Sequence, residues 1–184
     1  TAGVHPHEAR HYEDLTVEQL VTLADREKVV GIGECGLDFH YDLSPREVQA
    51  AVFRVHVEAA RRTDLPLVVH TREADDVMGH ILREEMAAKP FKLLMHCYTS
   101  GPQLAELATE LGAWFSVSGI ATFKAAEDVR AVIRDMPGLT SSGAYDGFGD
   151  GTLLWGSTGS PNLAVSVEEQ FTECWSCGRP KPEA

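Results

Sequence analysis

Three side chains able to hold a metal ion stand where apolar runs give way to polar residues. Glu34 follows the run Lys28–Gly33, His70 closes Leu65–His70, and His96 lies near the end of Phe91–Cys97. These runs lack the polar alternation of a half-exposed strand and read as strands covered on both faces. In parallel α/β folds, functional groups collect at the C-terminal ends of strands. Three successive strand ends therefore aim Glu34, His70 and His96 into one mouth. Two imidazoles and a carboxylate suit Zn2+, Mn2+ or a similar divalent ion. Taken singly, each histidine also fits a hydrogen-bonded core residue. Glu34 fits that reading less well, because a glutamate is seldom buried without a partner.

Other polar groups belong to the same face. His5-Pro6-His7 follows Gly3-Val4, the remnant of an earlier strand, and could bring His7 to a substrate or leave it facing solvent. Asp38 and His40 follow Glu34 in a loop, where Asp38 either orients a ligand histidine from behind or caps a turn. Arg72, two residues past His70, could clamp a phosphate or join a surface ion pair. Lys124, just past the fourth apolar run Ala113–Ser118, is a further candidate for substrate contact. Cys35 and Cys97 read as apolar packers. The single CxxC at Cys174 and Cys177 lacks the second pair that a zinc ribbon needs.

Amphipathic helices must connect these strands. Thr16 and Gln19 form a capping-box pattern before Leu20–Glu27. Ser44-Pro45-Arg46-Glu47 combines a cap hydroxyl, a proline and a closing glutamate, with Val48, Val52, Val55 and Ala59 as the apolar face. Ser100-Gly101-Pro102 starts a third helix, striped by Leu104, Leu107, Ala108 and Leu111 and stopped by Gly112. A last helix spans Ala125–Asp135. Repeated strand–helix units mean a parallel sheet with helical crossovers, either an open doubly wound sheet or a (β/α) barrel. A full barrel takes about 250 residues, so a barrel in these 184 residues is incomplete.

The net charge of −12, from 28 acidic and 16 basic residues, argues against a basic-patch binder of nucleic acid. An enzyme that meets phosphates through bound divalent ions is compatible with it, because the ions reverse the local field. No apolar run approaches the ~18 residues of a membrane span. Four scattered cysteines do not make a disulfide scaffold, and the expected setting is cytoplasmic. The composition changes near Pro137. Half of the 16 glycines fall in 138–184, and no Lys or Arg stands between Arg134 and Arg179. Residues 1–137 read as the barrel unit. Residues 138–184 read as an unrelated, poorly ordered Gly/Ser-rich tail, loop or weak strand over Gly138–Pro161 and ordered only in short pieces, with a short element at Val165–Phe171.

Five segments in order, GVHPH (3–7), GIGECGLDFHY (31–41), LPLVVHTREA (65–74), HCYTSG (96–101) and SVSGIATFK (116–124), resemble successive motifs of the TatD family. Gln49, Phe53 and Ala60 match the helix that links them. The resemblance covers residues 3–137. It implies a metal-dependent hydrolase on a (β/α)8 barrel, mostly described as a deoxyribonuclease, with strands three to seven present here. It also implies two divalent ions (Mg2+, Mn2+ or Zn2+) in the complete site. Glu34 would bridge them, His70 and His96 would be single ligands, and Arg72 would match the HxR of the fifth-strand motif. DNA or another phosphoester is the implied substrate. The family's first-strand HxH has no counterpart here, and its ETDxP is replaced after Pro137 by a stretch in which Asp146 and Asp150 do not fit the motif. These departures read as a gene fragment or a shifted frame, with little or no nuclease activity expected of the chain as written. The alternatives are a non-catalytic remnant and an open α/β binding protein.

Overall fold

The computed structural model describes residues 1–135 and 153–156. Four parallel strands lie side by side in chain order: β1 (Ile32–Asp38), β2 (Leu67–Arg72), β3 (Leu93–Met95) and β4 (Trp114–Val117). A fifth, β5 (Leu153–Gly156), runs antiparallel to β4. On the other side of β1, Ala2 makes one parallel bridge with Ile32. The helices are α1 (Val17–Ala24), α2 (Arg46–Thr63), α3 (Asp75–Ala88), α4 (Pro102–Glu110) and α5 (Glu127–Asp135), with 3-10 turns at Pro6–His11 and Gly119–Thr122. Parallel neighbours joined by helical crossovers make this an incomplete (β/α) barrel. No described helix is long and apolar enough to cross a membrane.

The core lies between the sheet and its helices. Leu37, Leu67, Val69, Leu93 and Met95 from the strands are buried against Phe53, Val57, Met78, Leu82 and Ala108 from the helices. The first strand starts later than its apolar sequence suggests and runs further. Lys28 takes a positive φ of 72°, the Val29 N–H turns back to the Arg26 carbonyl, and Val30 is exposed. The pairing begins at Ile32 and reaches Asp38, opposite Arg72. Glu34 is thus inside the strand, and Asp38, expected in a loop, closes it. Likewise β2 ends at Arg72, not at His70.

The Thr16–Gln19 capping box is present, although α1 begins at Val17. The second expected box is not: Pro45 caps α2 without a side-chain bond. Ser44 Oγ instead accepts the Arg10 N–H at 3.0 Å and donates to the His7 carbonyl at 2.8 Å. Its hydroxyl is committed to the N-terminal segment, not to the helix. Helix α3 carries a usable signal that the sequence reading passed over, in Met78, Ile81, Leu82 and Met86 on one buried face. The expected tail lies outside the described residues except for β5. So do Asp146, Asp150 and the Cys174/Cys177 pair.

Candidate metal centre

The geometry of the site follows from how tightly β1 approaches β2. Gly33 pairs with Val68 and Cys35 with Val69, so Glu34 is an extra, unpaired residue. A bulge of this kind re-aims a side chain out of the regular alternation. Gly36 lies opposite His70 with φ +138°, and a Cβ there would sit 2.0 Å from the His70 carbonyl oxygen. Only glycine lets the two backbones approach so closely. The glycines around Glu34 therefore bring its carboxylate beside the His70 ring.

The polar groups form a connected chain. Glu34 Oε1 lies 3.2 Å from His70 Nδ1, and Asp38 Oδ2 lies 3.0 Å from His70 Nε2. The same Asp38 oxygen bonds His7 Nε2 at 2.8 Å. Asp38 Oδ1 accepts the backbone N–H groups of His40 at 3.1 Å and Tyr41 at 2.9 Å. His5 Nε2 lies 4.0 Å from Glu34 Oε1, and its ring centroid is 4.7 Å from that of His70. One ligand atom from each of His5, Glu34 and His70 lies within 4.8 Å of the other two.

Burial alone would make His70 hard to charge. The bonds to Asp38 and Glu34, with their negative fields, outweigh it and lift His70 to about 9. Burial likewise works to raise both carboxyls, yet His70 above all holds Glu34 and Asp38 below their ordinary values. His5 goes the other way: burial first, then the neighbouring His70, brings it down to about 4. At neutral pH the cluster is two carboxylates around one imidazolium, with a neutral His5 alongside.

The donor set fits a divalent cation. His5 Nε2 is buried without a hydrogen-bond partner, which is costly unless something else satisfies it. Glu34 is charged and His5 is neutral, as ligands must be. His70 would present Nδ1 after giving up that proton, while Nε2–H keeps its bond to Asp38, the usual way a carboxylate orients a ligand histidine. His5 Nδ1 accepts the His7 N–H at only 3.3 Å, a long bond that would yield when the ring proton moves to that nitrogen.

Glu34 and His70 are thus brought together, and Asp38 stands behind His70. His96 is outside the group of three. Its Nδ1 lies 3.0 Å from Ser116 Oγ and its Nε2 3.2 Å from Cys97 Sγ. Burial lowers its pKa against the pull of Glu34, so it lies within reach of the same field. His7 is engaged with Asp38. Arg72 lays its guanidinium over the Tyr41 ring, 4.8 Å from the centroid. Lys124 is exposed in the turn before α5. Cys35 packs in the core as expected, but Cys97 is partly exposed and touches His96.

Two participants, His5 and Gln49, have no assigned role at the metal centre from the sequence alone. The sequence leaves the His5-Pro6-His7 segment open between substrate contact and a solvent-facing loop; the structure brings His5 Nε2 to 4.0 Å from Glu34 Oε1. Gln49 is buried on the apolar face of α2, where a lone amide among Val52, Phe53 and Ala60 signals a backbone to be satisfied.

The TatD-related DNase family model matches residues 1–140. The uncharacterized metal-dependent hydrolase YabD of Bacillus subtilis is 35% identical over 135 residues, covering 73% of this chain and 52% of that protein. The 3'-5' ssDNA/RNA exonuclease TatD of Rahnella sp. is 36% identical over 119 residues, covering 65% and 45%. The crystal structure of YjjV, a TatD homologue from Escherichia coli K12, superposes with a TM-score of 0.65 at 30% identity, covering 74% of this chain and 53% of that one. The chain spans about half the length of the curated relatives it matches. With the family model matching residues 1–140, and relatives in sequence and in structure 30–36% identical to it, the chain belongs to the TatD-related DNase family.

Proposed function

We propose that this chain carries the metal-binding half of a hydrolase that cleaves phosphodiester bonds in nucleic acid. The observation that carries the reading is the meeting of His5, Glu34 and His70 ligand atoms within 4.8 Å, with His5 Nε2 buried and unpartnered. The exonuclease named among the relatives supports single-stranded nucleic acid as the substrate class.

In this reading His5, Glu34 and His70 hold one divalent ion and His96 flanks it. Such an ion supplies Lewis acidity, polarising a phosphoryl oxygen and making water nucleophilic near neutral pH. Asp38 fixes the His70 ring and balances its charge. His7, bonded to the same Asp38 oxygen, stays in place beside the substrate. Arg72, which has no ion-pair partner among the described residues, holds a phosphate. Lys124, exposed in the turn before α5, is a second candidate for substrate contact. Mg2+, Mn2+ and Zn2+ are the ions to test, Zn2+ and Mn2+ being better suited to two imidazoles.

The test is a fluorescent single-stranded DNA incubated with the protein and each metal, beside Glu34→Ala. Cleavage that needs added metal and disappears in Glu34→Ala supports the proposal. Metal binding, seen calorimetrically, without any cleavage would make this chain a non-catalytic remnant of such an enzyme. The absence of both metal binding and cleavage would overturn the proposal.

A further inference from the structure

The loop after β1 presents two aromatic rings, Phe39 and Tyr41, each with a guanidinium above it. The two differ in what surrounds them. Arg46, 4.4 Å from the Phe39 centroid, is neutralised by Asp42 through two bonds of 3.0 Å. Phe39 also lines a cleft of about 480 Å³ whose wall includes Glu73, Asp75 and Asp76, a poor environment for a phosphate. Tyr41 is 44% exposed, and the Arg72 guanidinium above it has no carboxylate within ion-pair distance among the described residues. A large aromatic open to solvent beside an uncompensated guanidinium is a combination that suits a planar base joined to an anion.

Tyr41 is also fixed relative to the metal centre. Its N–H bonds Asp38 Oδ1 at 2.9 Å, while the other Asp38 oxygen holds His70. Its ring meets the His7 ring edge-on at 5.3 Å, and His7 in turn lies 4.3 Å from His5 between centroids. The Phe39 N–H bonds the Arg72 carbonyl at 2.9 Å, tying the loop to the end of β2. An aromatic platform held by the residue that orients a metal ligand keeps a constant distance from the reacting centre.

We propose that Tyr41 and Arg72 form a nucleotide subsite beside the metal centre, Tyr41 stacking a nucleobase and Arg72 holding the adjoining phosphate. The inference rests on the nucleic-acid reading given above and adds where the substrate lies. Stacking tolerates any base, because every base offers a π face. The subsite therefore gives affinity and register without sequence preference.

The experiment is fluorescence anisotropy with a fluorescein-labelled, phosphorothioate-linked oligothymidylate and its abasic counterpart, in the presence of Mn2+. Wild-type protein is expected to bind the thymidylate, and Tyr41→Phe to bind it equally. Tyr41→Ala should bind it about 5- to 150-fold more weakly, the loss typical of one stacked base. On the abasic strand Tyr41→Ala and wild type should be indistinguishable. Arg72→Met should weaken binding to both strands and reduce the salt dependence by about one phosphate contact. Unchanged thymidylate binding by Tyr41→Ala would overturn the subsite while leaving the nucleic-acid reading intact. Equal losses on both strands would overturn stacking, showing that Tyr41 acts only by shaping the loop. Failure of the wild type to bind either strand would overturn the nucleic-acid reading, and the subsite with it. Circular dichroism and calorimetric Mn2+ binding of each variant separate these results from misfolding.

Discussion

The Gln49 side chain pairs with the backbone of Asp38 as a neighbouring strand would: Oε1 accepts the Asp38 N–H at 2.8 Å, and Nε2 donates to the Asp38 carbonyl at 3.1 Å. The same amide nitrogen donates to the Ser44 carbonyl at 2.8 Å. Helix α2 therefore closes the end of β1 and holds the carboxylate that orients His70. Gln49→Leu keeps the volume and removes every one of these bonds. Leaving a buried donor or acceptor unmade costs about 1–3 kcal/mol, so the variant should lose about 2–5 kcal/mol of stability in urea titrations. Divalent-metal affinity should fall with it, because Asp38 is no longer fixed. A variant with wild-type stability and affinity would show that the clamp is dispensable.

Two glycines with positive φ should respond very differently to alanine. At Gly36 the new Cβ would meet the His70 carbonyl oxygen at 2.0 Å, backbone against backbone. At Gly112, with φ +78° after α4, it would meet nothing within 4 Å. Gly112→Ala then costs only the left-handed conformation, about 1–2 kcal/mol. Gly36→Ala must push β1 and β2 apart and should cost more than about 3 kcal/mol. Thermal denaturation of both variants checks the order. Equal losses would mean that the strands separate more easily than their packing implies.

The order of elements and most of the ligand face were legible because both depend on local pattern. Apolar runs marked β2, β3 and β4 to within two residues. The strand that matters most was the one misplaced. Val29 and Val30 look like strand, but the chain turns there, with Val29 packed against the core and Val30 exposed, while Cys35 to Asp38, expected beyond the strand, are zipped to β2 around the unpaired Glu34. Backbone pairing with β2, and the glycines that permit it, outweighed composition there. The same long-range approach brought His5 to Glu34, a contact 29 positions apart along the chain that no spacing rule contains. Ser44 shows the converse: a good local capping signal lost to a tertiary partner.

The choice of third ligand can be decided by substitution. With His5, Glu34 and His70 within mutual reach and His96 held between Ser116 and Cys97, His5→Ala should weaken Zn2+ or Mn2+ binding more than His96→Ala does. Even groups behind a ligand change metal affinity by about 10- to 100-fold, so loss of His5 should cost at least that. Calorimetric titration of both variants reads the difference. A larger loss in His96→Ala would move the ion toward β3 and β4, as the strand-end reading of the sequence expects.

His56 offers a pH prediction away from the metal centre. It is fully buried on α2; Nε2 accepts the Val4 N–H at 2.9 Å and Nδ1–H donates to the Val52 carbonyl at 2.8 Å. Burial lowers it from 6.5 to about 4, despite the Val52 bond. The native state therefore keeps His56 neutral while the unfolded chain accepts a proton from about pH 6.5 downward. Its stabilising contribution is complete above 6.5, declines as the pH falls through the window to about 4, and is then constant. The full decline corresponds to about 3 kcal/mol. His5, also lowered to about 4, adds a parallel decline, so the wild type alone does not isolate either residue. His56→Gln retains an acceptor for Val4 and removes the titration. Urea titrations at pH 7.5 and 5 should show a smaller loss of stability in His56→Gln than in wild type, by about 2 kcal/mol. If the two proteins lose the same amount, His56 is protonated in the native state, and the Val4 segment that carries His5 is held by something other than a neutral imidazole.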